Sequence, residues 1–199
     1  MSMAEKPAYY DNRSEFWKSH WQRAVGYEDF LVCAKPEEAA RWGEAYARTP
    51  DLTPEDQARV KGYNREVNIL LYAGAWCPDC ARTGPNLQRL AEAAGEKVKL
   101  RVIDRDASRE LKEELRILGA TRVPVAIFLT EDFWEIVRVG DRTLSVYRSK
   151  MAREIGRGVD QGILSPEARR RELDEWLDTL ERVLIMARLA PVLRKRHGD

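Results

Sequence analysis

The chain has 199 residues, enough for one medium-sized domain or for a small domain with helical additions. Apolar residues make up 44% of it, which allows a buried core, and charged residues make up 34%, which argues against residence in a membrane. The 34 Lys and Arg residues balance the 33 Asp and Glu residues, so the net charge of +1 argues against nucleic acid or anionic lipid as a partner. We interpret the basic clusters at 169–171 and 194–196 as a solvated helix face and tail.

The N-terminal segment and the cysteines bear on the compartment. Residues 1–23 carry scattered charges and no apolar segment typical of a signal peptide, and no stretch approaches the roughly 18 apolar residues of a membrane helix. We therefore expect a cytoplasmic protein, where structural disulfides are rare. Of the three cysteines, Cys33, Cys77 and Cys80, the last two form a close pair, which indicates catalysis or metal binding.

The first third of the chain has helical spacing interrupted by turn residues. Aromatic side chains share one helical face over residues 16–21, and a second helix is predicted to open at Pro36. Thr53 is a typical helix cap, followed by Pro54 at the first helical position. Residues 26–33 are compatible with a short strand instead of a helix. We interpret the aromatic stripes as core.

From residue 67 onward the pattern changes to alternating strands and helices. Strands are predicted at 67–73, 97–104, 123–129 and 135–139, and helices at 86–94, 108–118, 144–155 and 166–190. Strand–helix–strand connections predict parallel pairing with right-handed crossovers, whereas the turn at 131–132 predicts an antiparallel hairpin. The apolar stripe of the last helix predicts packing on the core, or a dimer contact.

Cys77 lies where the first strand meets its helix. There the unpaired N–H groups and the positive end of the helix dipole stabilise a thiolate, which is the reactive form of cysteine. Pro78 fits the first helical turn because its missing N–H costs nothing there. Cys80 follows one turn later, within reach of Cys77, so the pair is able to close a small disulfide.

The segment Trp76–Cys80 (WCPDC) resembles the active site of the thioredoxin superfamily. Its Cys-Pro-Asp-Cys variant is similar to thioredoxin-related proteins more than to thioredoxin itself. Further positions agree: Pro85 matches the proline that kinks the active-site helix, Val123–Pro124 matches the family's cis-proline, and Gly140 matches the glycine after the hairpin. The resemblance covers roughly residues 65–142.

The resemblance implies an α/β, thioredoxin-like fold with a central four-stranded mixed sheet flanked by helices. It implies three parts: an N-terminal helical extension at 1–64, a thioredoxin-like core at 65–142, and C-terminal helices packed on the core at 143–199. It also assigns roles. Cys77 attacks a disulfide and Cys80 resolves the mixed disulfide, while Trp76, Pro78, Asp79 and Arg82 support them, and Val123 and Pro124 bind the substrate strand.

The sequence departs from thioredoxin at a buried pair of charges. Thioredoxins bury an acid six positions before the first cysteine and a lysine on the next strand, whereas the matching positions here are Leu71 and, by a looser alignment, Leu100. Losing both is physically consistent, because one alone would be an uncompensated buried charge. Either Asp79 or water is then the proton acceptor for Cys80. Asp79 opposes the Cys77 thiolate, whereas Arg82 and the helix end favour it.

Other polar residues are given structural roles. A zinc site needs four ligands, and Cys33, His20 and His197 lack the tight spacing to complete one, so we expect no metal and no separate cofactor. We interpret Cys33 as a small buried hydrophobe, His20 as a structural residue and His197 as part of a fraying tail. Asp104 and Asp106 are expected to cap the next helix.

The predicted function is thiol–disulfide exchange, as a cytoplasmic disulfide reductase in cell redox homeostasis. Its substrate would be a disulfide-containing protein or small molecule, and the family's electron donors are thioredoxin reductase or glutathione. An oxidase or isomerase would belong in an oxidising compartment. From a different class, the chain would be a redox-regulated protein-binding module, either monomeric or homodimeric.

Overall fold

The computed structural model describes residues 10–158 and 162–199. Its helices are α1 (Ser14–Arg23), α2 (Tyr27–Val32), α3 (Pro36–Ala47), α4 (Pro54–Val60), α5 (Pro78–Ala94), α6 (Arg109–Glu114), α7 (Leu144–Ile155), α8 (Pro166–Leu189) and α9 (Pro191–His197). Its strands are β1 (Val67–Ala73), β2 (Val98–Asp104), β3 (Arg116–Ile117), β4 (Ala120–Thr121), β5 (Val125–Thr130) and β6 (Glu135–Gly140).

Four strands form one mixed sheet in the order β2-β1-β5-β6. The two central strands, β1 and β5, are buried along their whole length because helices cover both faces, which explains their continuous apolar sequences. The edge strand β2 alternates between buried and exposed positions over much of its length. The four-stranded mixed sheet flanked by helices agrees with the predicted fold class.

The two strand–helix–strand connections differ from each other. β1 and β2 pair in parallel, as predicted, but β5 runs antiparallel to β1, so the prediction of parallel pairing is wrong for the second connection. Its helix α6 has only six residues, about 9 Å of length, too short to run back along a strand of seven residues. The chain therefore remains at the end of the sheet where β1 and β2 finish, and β5 starts there. Cys77 lies at this same end, because it follows β1.

The short α6 also corrects the predicted helix at 108–118. The helix ends at Glu114, and a small antiparallel hairpin of β3 and β4 follows. Leu118, expected on the helix's apolar face, lies in the hairpin turn with φ of 52° and is 89% exposed. Two other segments are settled as helices: residues 27–32 form α2 rather than a strand, and the expected tail after 190 contains α9.

Helices from both ends of the chain pack against the sheet and against α5. Trp17 and Trp42 are fully buried, which agrees with their interpretation as core. Trp42 lies so close to Gly84 of α5 that a Cβ there would be 2.2 Å from the indole ring. The predicted stripe of α8 is buried as well, and consists of Leu173, Trp176, Leu177, Leu180, Val183, Leu184 and Ala187. Within the described residues, no helix combines the length and apolar character needed to cross a membrane.

Candidate dithiol active site

Cys77 occupies the N-cap position of α5, directly after β1 and its short loop. Its own N–H donates to the carbonyl of Gly74 at 3.0 Å, which fixes the loop. Its Sγ accepts the N–H of Cys80 at 3.4 Å, as a capping side chain does. Pro78 begins the helix, where no N–H is needed. The local sequence thus places the sulfur of Cys77 over the open end of α5.

The two cysteines are free thiols in different electrostatic environments. The pKa of Cys77 is lowered to about 7, first because the Cys80 thiol donates a hydrogen bond to it, and further because backbone N–H groups of Cys80 and Asp79 point at it, while burial opposes the shift. The pKa of Cys80 is raised, first by its burial and then by the neighbouring Cys77. At neutral pH, a substantial fraction of Cys77 is therefore thiolate while Cys80 keeps its proton.

The Val123–Pro124 segment lies against this pair. Its peptide bond is cis, as predicted, and Cys77 Sγ is 3.8 Å from the carbonyl oxygen of Val123, although 46 residues separate them in the chain. Gly140 of β6 packs behind the proline, since a Cβ at this glycine would be 2.8 Å from the Pro124 carbonyl oxygen. The fold thus brings together Cys77, Cys80, Val123 and Pro124.

Trp76 lies beside the cysteines and is 46% exposed. Its ring folds over Gly74, where a Cβ would be 2.6 Å from the indole nitrogen, and the guanidinium of Arg105 lies 5.2 Å from the ring centroid. The Trp76 carbonyl accepts a hydrogen bond from Arg41 of α3 at 3.0 Å. The site therefore presents an open aromatic surface next to the sulfur atoms.

Asp79, between the two cysteines, is held by two guanidinium groups. Arg82 contacts its Oδ1 at 3.0 Å and Arg142 contacts its Oδ2 at 2.5 Å. The carboxylate of Asp79 acts to raise the pKa of Cys77, and the two cations beside it offset that effect. Arg82 binds Asp79 and Glu172 rather than a cysteine, so the favourable effect on the thiolate that the sequence predicts would be exerted through Asp79.

Sequence reasoning missed Glu172, Arg142 and Asp141. Glu172 of α8 is 1% exposed, accepts a hydrogen bond from Arg82 at 2.8 Å, and has a pKa raised to about 7 by burial. Asp141 is bound by Arg142 at 3.0 Å and by Arg122 at 3.1 Å. Burial raises the pKa of Asp141, but its hydrogen bonds with Tyr147 and Arg122 outweigh burial and lower it. The available signal was a glutamate on the otherwise apolar face of α8.

The positions of the thioredoxin charge pair are apolar here. Leu71 is fully buried in β1 and Leu100 is buried in β2. The sequence left Asp79 or water as acceptor of the Cys80 proton, and both carboxylate oxygens of Asp79 are already bound to arginines. This arrangement favours water.

Three structural interpretations of polar residues are corrected. Cys33 is exposed rather than buried, because it follows the end of the short helix α2, outside the core. His197 belongs to α9 and contacts Asp132 at 2.8 Å instead of fraying. Helix α6 is capped by Ser108.

The expected caps, Asp104 and Asp106, bond to each other instead, since Asp104 accepts the Asp106 N–H at 2.8 Å. His20 is a buried structural residue, as predicted, and contacts the Ser108 hydroxyl at 3.0 Å. In the described parts of the chain, no group of three or more His, Cys, Asp or Glu side chains is arranged to hold a metal ion.

Comparisons with known proteins place this geometry in context. A crystal structure of a protein of unknown function from Pseudomonas aeruginosa is similar, with a TM-score of 0.67 and 15% identity over 85% of this chain and 97% of that one. An HIV epitope-scaffold is similar with a TM-score of 0.59 and 17% identity, over 92% of this chain and 98% of the scaffold. At these identities the likeness concerns the fold. No curated protein matches the sequence.

The amino-acid sequence was also compared with models of protein families. The sequence model of a family described as thioredoxin matches residues 27–153, more than half of the chain. The match includes the Cys77–Cys80 pair, the Val123–Pro124 segment and Gly140, and it begins well before the core predicted from the motifs. This protein belongs to the thioredoxin family.

Proposed function

We propose that this protein is a thiol–disulfide oxidoreductase that works as a disulfide reductase in the cytoplasm. The observation that carries the proposal is the asymmetry of the pair: Cys77 caps α5 with a pKa lowered to about 7, whereas Cys80 is fully buried and has a raised pKa. An attacking thiol works best when its pKa is near the ambient pH, and a second thiol that keeps its proton does not compete with it as a nucleophile.

The reaction proceeds in two exchanges. The Cys77 thiolate attacks one sulfur of the substrate disulfide, a new S–S bond forms to Cys77, and the second substrate sulfur leaves as a thiolate that takes a proton from water. Cys80 then loses its proton and attacks Cys77, which releases the first substrate sulfur and leaves a Cys77–Cys80 disulfide. Two electrons pass to the substrate. Thioredoxin reductase or reduced glutathione would restore the dithiol.

The surroundings of Cys77 suit an extended substrate. The Val123 backbone lies 3.8 Å from the sulfur and would pair with a substrate strand through main-chain hydrogen bonds, which tolerate many sequences. Trp76 adds an exposed apolar surface on the adjoining side. Together they would orient a disulfide for attack without requiring a particular side chain.

One observation favours the alternative of a redox-regulated binding module. Asp79, inside the motif, is connected through Arg82 to Glu172 of α8, so a redox change at the cysteines has a route to the C-terminal helices. Catalytic turnover separates the two functions, because a sensor exchanges once with a disulfide whereas a reductase turns over with a reducing donor.

The test combines two cysteine variants with a measurement of the reduction potential of the Cys77–Cys80 pair. We expect Cys77→Ser to abolish disulfide reduction and Cys80→Ser to accumulate a mixed disulfide, detected by mass spectrometry. Alkylation of Cys77 in the wild type should be half-maximal near pH 7, because only the thiolate reacts. Equilibration with a glutathione buffer should give a potential of about −270 to −200 mV. Preferential alkylation of Cys80, or a potential near about −120 mV, would contradict the reductase.

A further inference from the structure

A cavity of about 310 Å³ lies beside the active-site motif, between α3, the first turns of α5 and the start of α8. From α5 it is lined by Pro78, Ala81 and Arg82, which share one helical face. Pro78 is the residue next to Cys77, and Arg41, on the opposite wall, donates to the carbonyl of Trp76. The cavity thus reaches the first turn of α5, one residue along the chain from Cys77.

Two carboxylates in the lining are already paired with arginines. Glu44 contacts Arg48 at 3.1 Å, and Glu172 contacts Arg82 at 2.8 Å. Glu44 cancels the charge of Arg48, and Asp79 offsets the charge of Arg82 in addition to Glu172, so neither arginine attracts a charged ligand strongly.

Two further guanidinium groups in the lining have no ion-pair partner among the described residues. Arg41 and Arg169 line the cavity, and neither forms an ion pair with any residue in 10–158 or 162–199. Arg169 is half-buried at the start of α8, and its guanidinium makes no hydrogen bond within the same ranges. Among the described residues, the lining therefore carries an excess of positive charge close to the active-site motif.

We propose that this cavity binds the carboxylate of a small organic disulfide while Cys77 attacks its sulfur, which makes carboxylate-bearing, low-molecular-weight disulfides a preferred substrate class. The inference rests on the proposed function. A planar guanidinium offers two parallel N–H donors that match a carboxylate. The volume lies at the lower end for small-molecule sites, and Ala45, Pro50 and Leu164 add apolar walls for a short aliphatic chain.

The chemistry is the exchange described above, with the carboxylate as a spectator. Cys77 forms a bond to the sulfur whose carbon chain ends in the bound carboxylate, and the other half of the disulfide leaves as a thiol. Attack by Cys80 then releases the first half. Atoms and electrons balance without any additional reactant.

The test measures how fast the reduced, full-length protein is oxidised by four disulfides: dithiodipropionate, the longer dithiodibutyrate, neutral bis(hydroxyethyl) disulfide and cationic cystamine. Each rate constant is divided by that for dithiothreitol with the same disulfide, which removes intrinsic reactivity. Protein oxidation is followed by acid quench, alkylation and mass. We expect the wild type to prefer at least one of the dicarboxylates over the neutral disulfide, and cystamine to be slowest.

Arg169→Gln should lower the dicarboxylate preference by about fivefold and leave the rate with the neutral disulfide unchanged, and Arg169→Glu should reverse the preference. Arg171→Gln is the matched control, because Arg171 is an exposed arginine of the same helix that lines a different cavity. Equal losses in the two Gln variants, or an unchanged preference in Arg169→Gln, would overturn the inference while leaving the reductase intact. A wild type that none of the disulfides oxidises would overturn the proposed function and this inference together.

Discussion

The two sides of the Cys77–Cys80 pair are held by different kinds of interaction. On one side, which we call the backbone side, the Val123 carbonyl, Pro124 and Gly140 meet the sulfur and one another through main-chain atoms. On the other, the charged side, ion pairs link Asp79 to Arg82, Arg142 and Glu172. The first side is uncharged and makes its contacts through main-chain atoms, whereas the second depends on charged side chains.

The two sides therefore have different roles: the backbone side places the substrate, and the charged side adjusts the reactivity of Cys77. The backbone side supplies what disulfide exchange requires, a place for a substrate strand beside the sulfur, and a change of side chain there matters only when it alters packing. The charged side touches neither sulfur, yet the charge of Asp79 acts on the pKa of Cys77, and the side extends to α8 through Glu172. Substitutions on the two sides should therefore affect different properties.

The largest expected effect is on the charged side, at Glu172. Its pKa is about 7 in the folded protein against an ordinary value of 4.5, so its neutral form stabilises the fold below pH 4.5, and this stabilisation is lost as the pH rises through 7. The glutamine in Glu172→Gln does not ionise, so the variant does not lose this stabilisation as the pH rises. Between about pH 4 and pH 8, the free energy of unfolding should change in favour of the variant by about 3 kcal/mol relative to wild type.

Urea unfolding at the two pH values measures this effect. Glu96→Gln is the matched control, because Glu96 is exposed and forms no ion pair or side-chain hydrogen bond within the described residues. Parallel pH dependence in Glu172→Gln and the wild type would show that Glu172 ionises normally.

On the backbone side, Gly140→Ala should lower the free energy of unfolding by about 2 kcal/mol. The added Cβ would be 2.8 Å from the Pro124 carbonyl oxygen and 3.2 Å from the Val125 Cα, and backbone atoms in a sheet cannot move aside cheaply. Gly43→Ala is the control, because nothing lies within 4 Å of a Cβ there and α3 should gain stability. Equal stability of Gly140→Ala and wild type would mean that β5 and β6 are not tightly packed behind the proline.

The backbone side was largely predictable from the sequence. A continuous apolar run identified β1, the cap position of Cys77 followed from its place between strand and helix, and Val123–Pro124 followed from the family resemblance. The connection between β2 and β5 was not predictable in the same way. Leu111, Leu115 and Leu118 have helical spacing, but the helix stops after six residues and the chain turns into the β3–β4 hairpin, with Leu118 in a left-handed conformation.

Of the charged side, the motif indicated Asp79 and Arg82, but Arg142 and Glu172 were not predicted, because they are far from the motif in sequence. Arg82 and Glu172 are separated by 90 residues, and ion pairs over such distances leave no periodic pattern. Cys33 was misjudged for a related reason. Cysteine is usually buried, but the end of α2 lies at the surface, which no local pattern indicates.

A smaller effect is expected from Asp79→Asn. Removing the anion next to Cys77 leaves the cations of Arg82 and Arg142 in place, so the pKa of Cys77 should fall by about 0.5. A more stable thiolate stabilises the reduced protein, which should raise the potential by about 15 mV. The pH dependence of alkylation and a glutathione equilibration measure the two shifts. A rise in the pKa of Cys77 would mean that Asp79 supports the thiolate.

The smallest effect, at Arg142, tests whether the charged side acts on Cys77 through Asp79. Arg142→Gln removes one of the two cations on Asp79 and should raise the pKa of Cys77 by about 0.3, whereas Arg148→Gln, an exposed position of α7, should leave it unchanged. In the Asp79→Asn background, the Arg142 substitution should have a smaller effect on the alkylation midpoint, because its ion-pair partner is gone. Equal shifts in both backgrounds would mean that Arg142 acts on the sulfur directly, and that Asp79 does not transmit its charge.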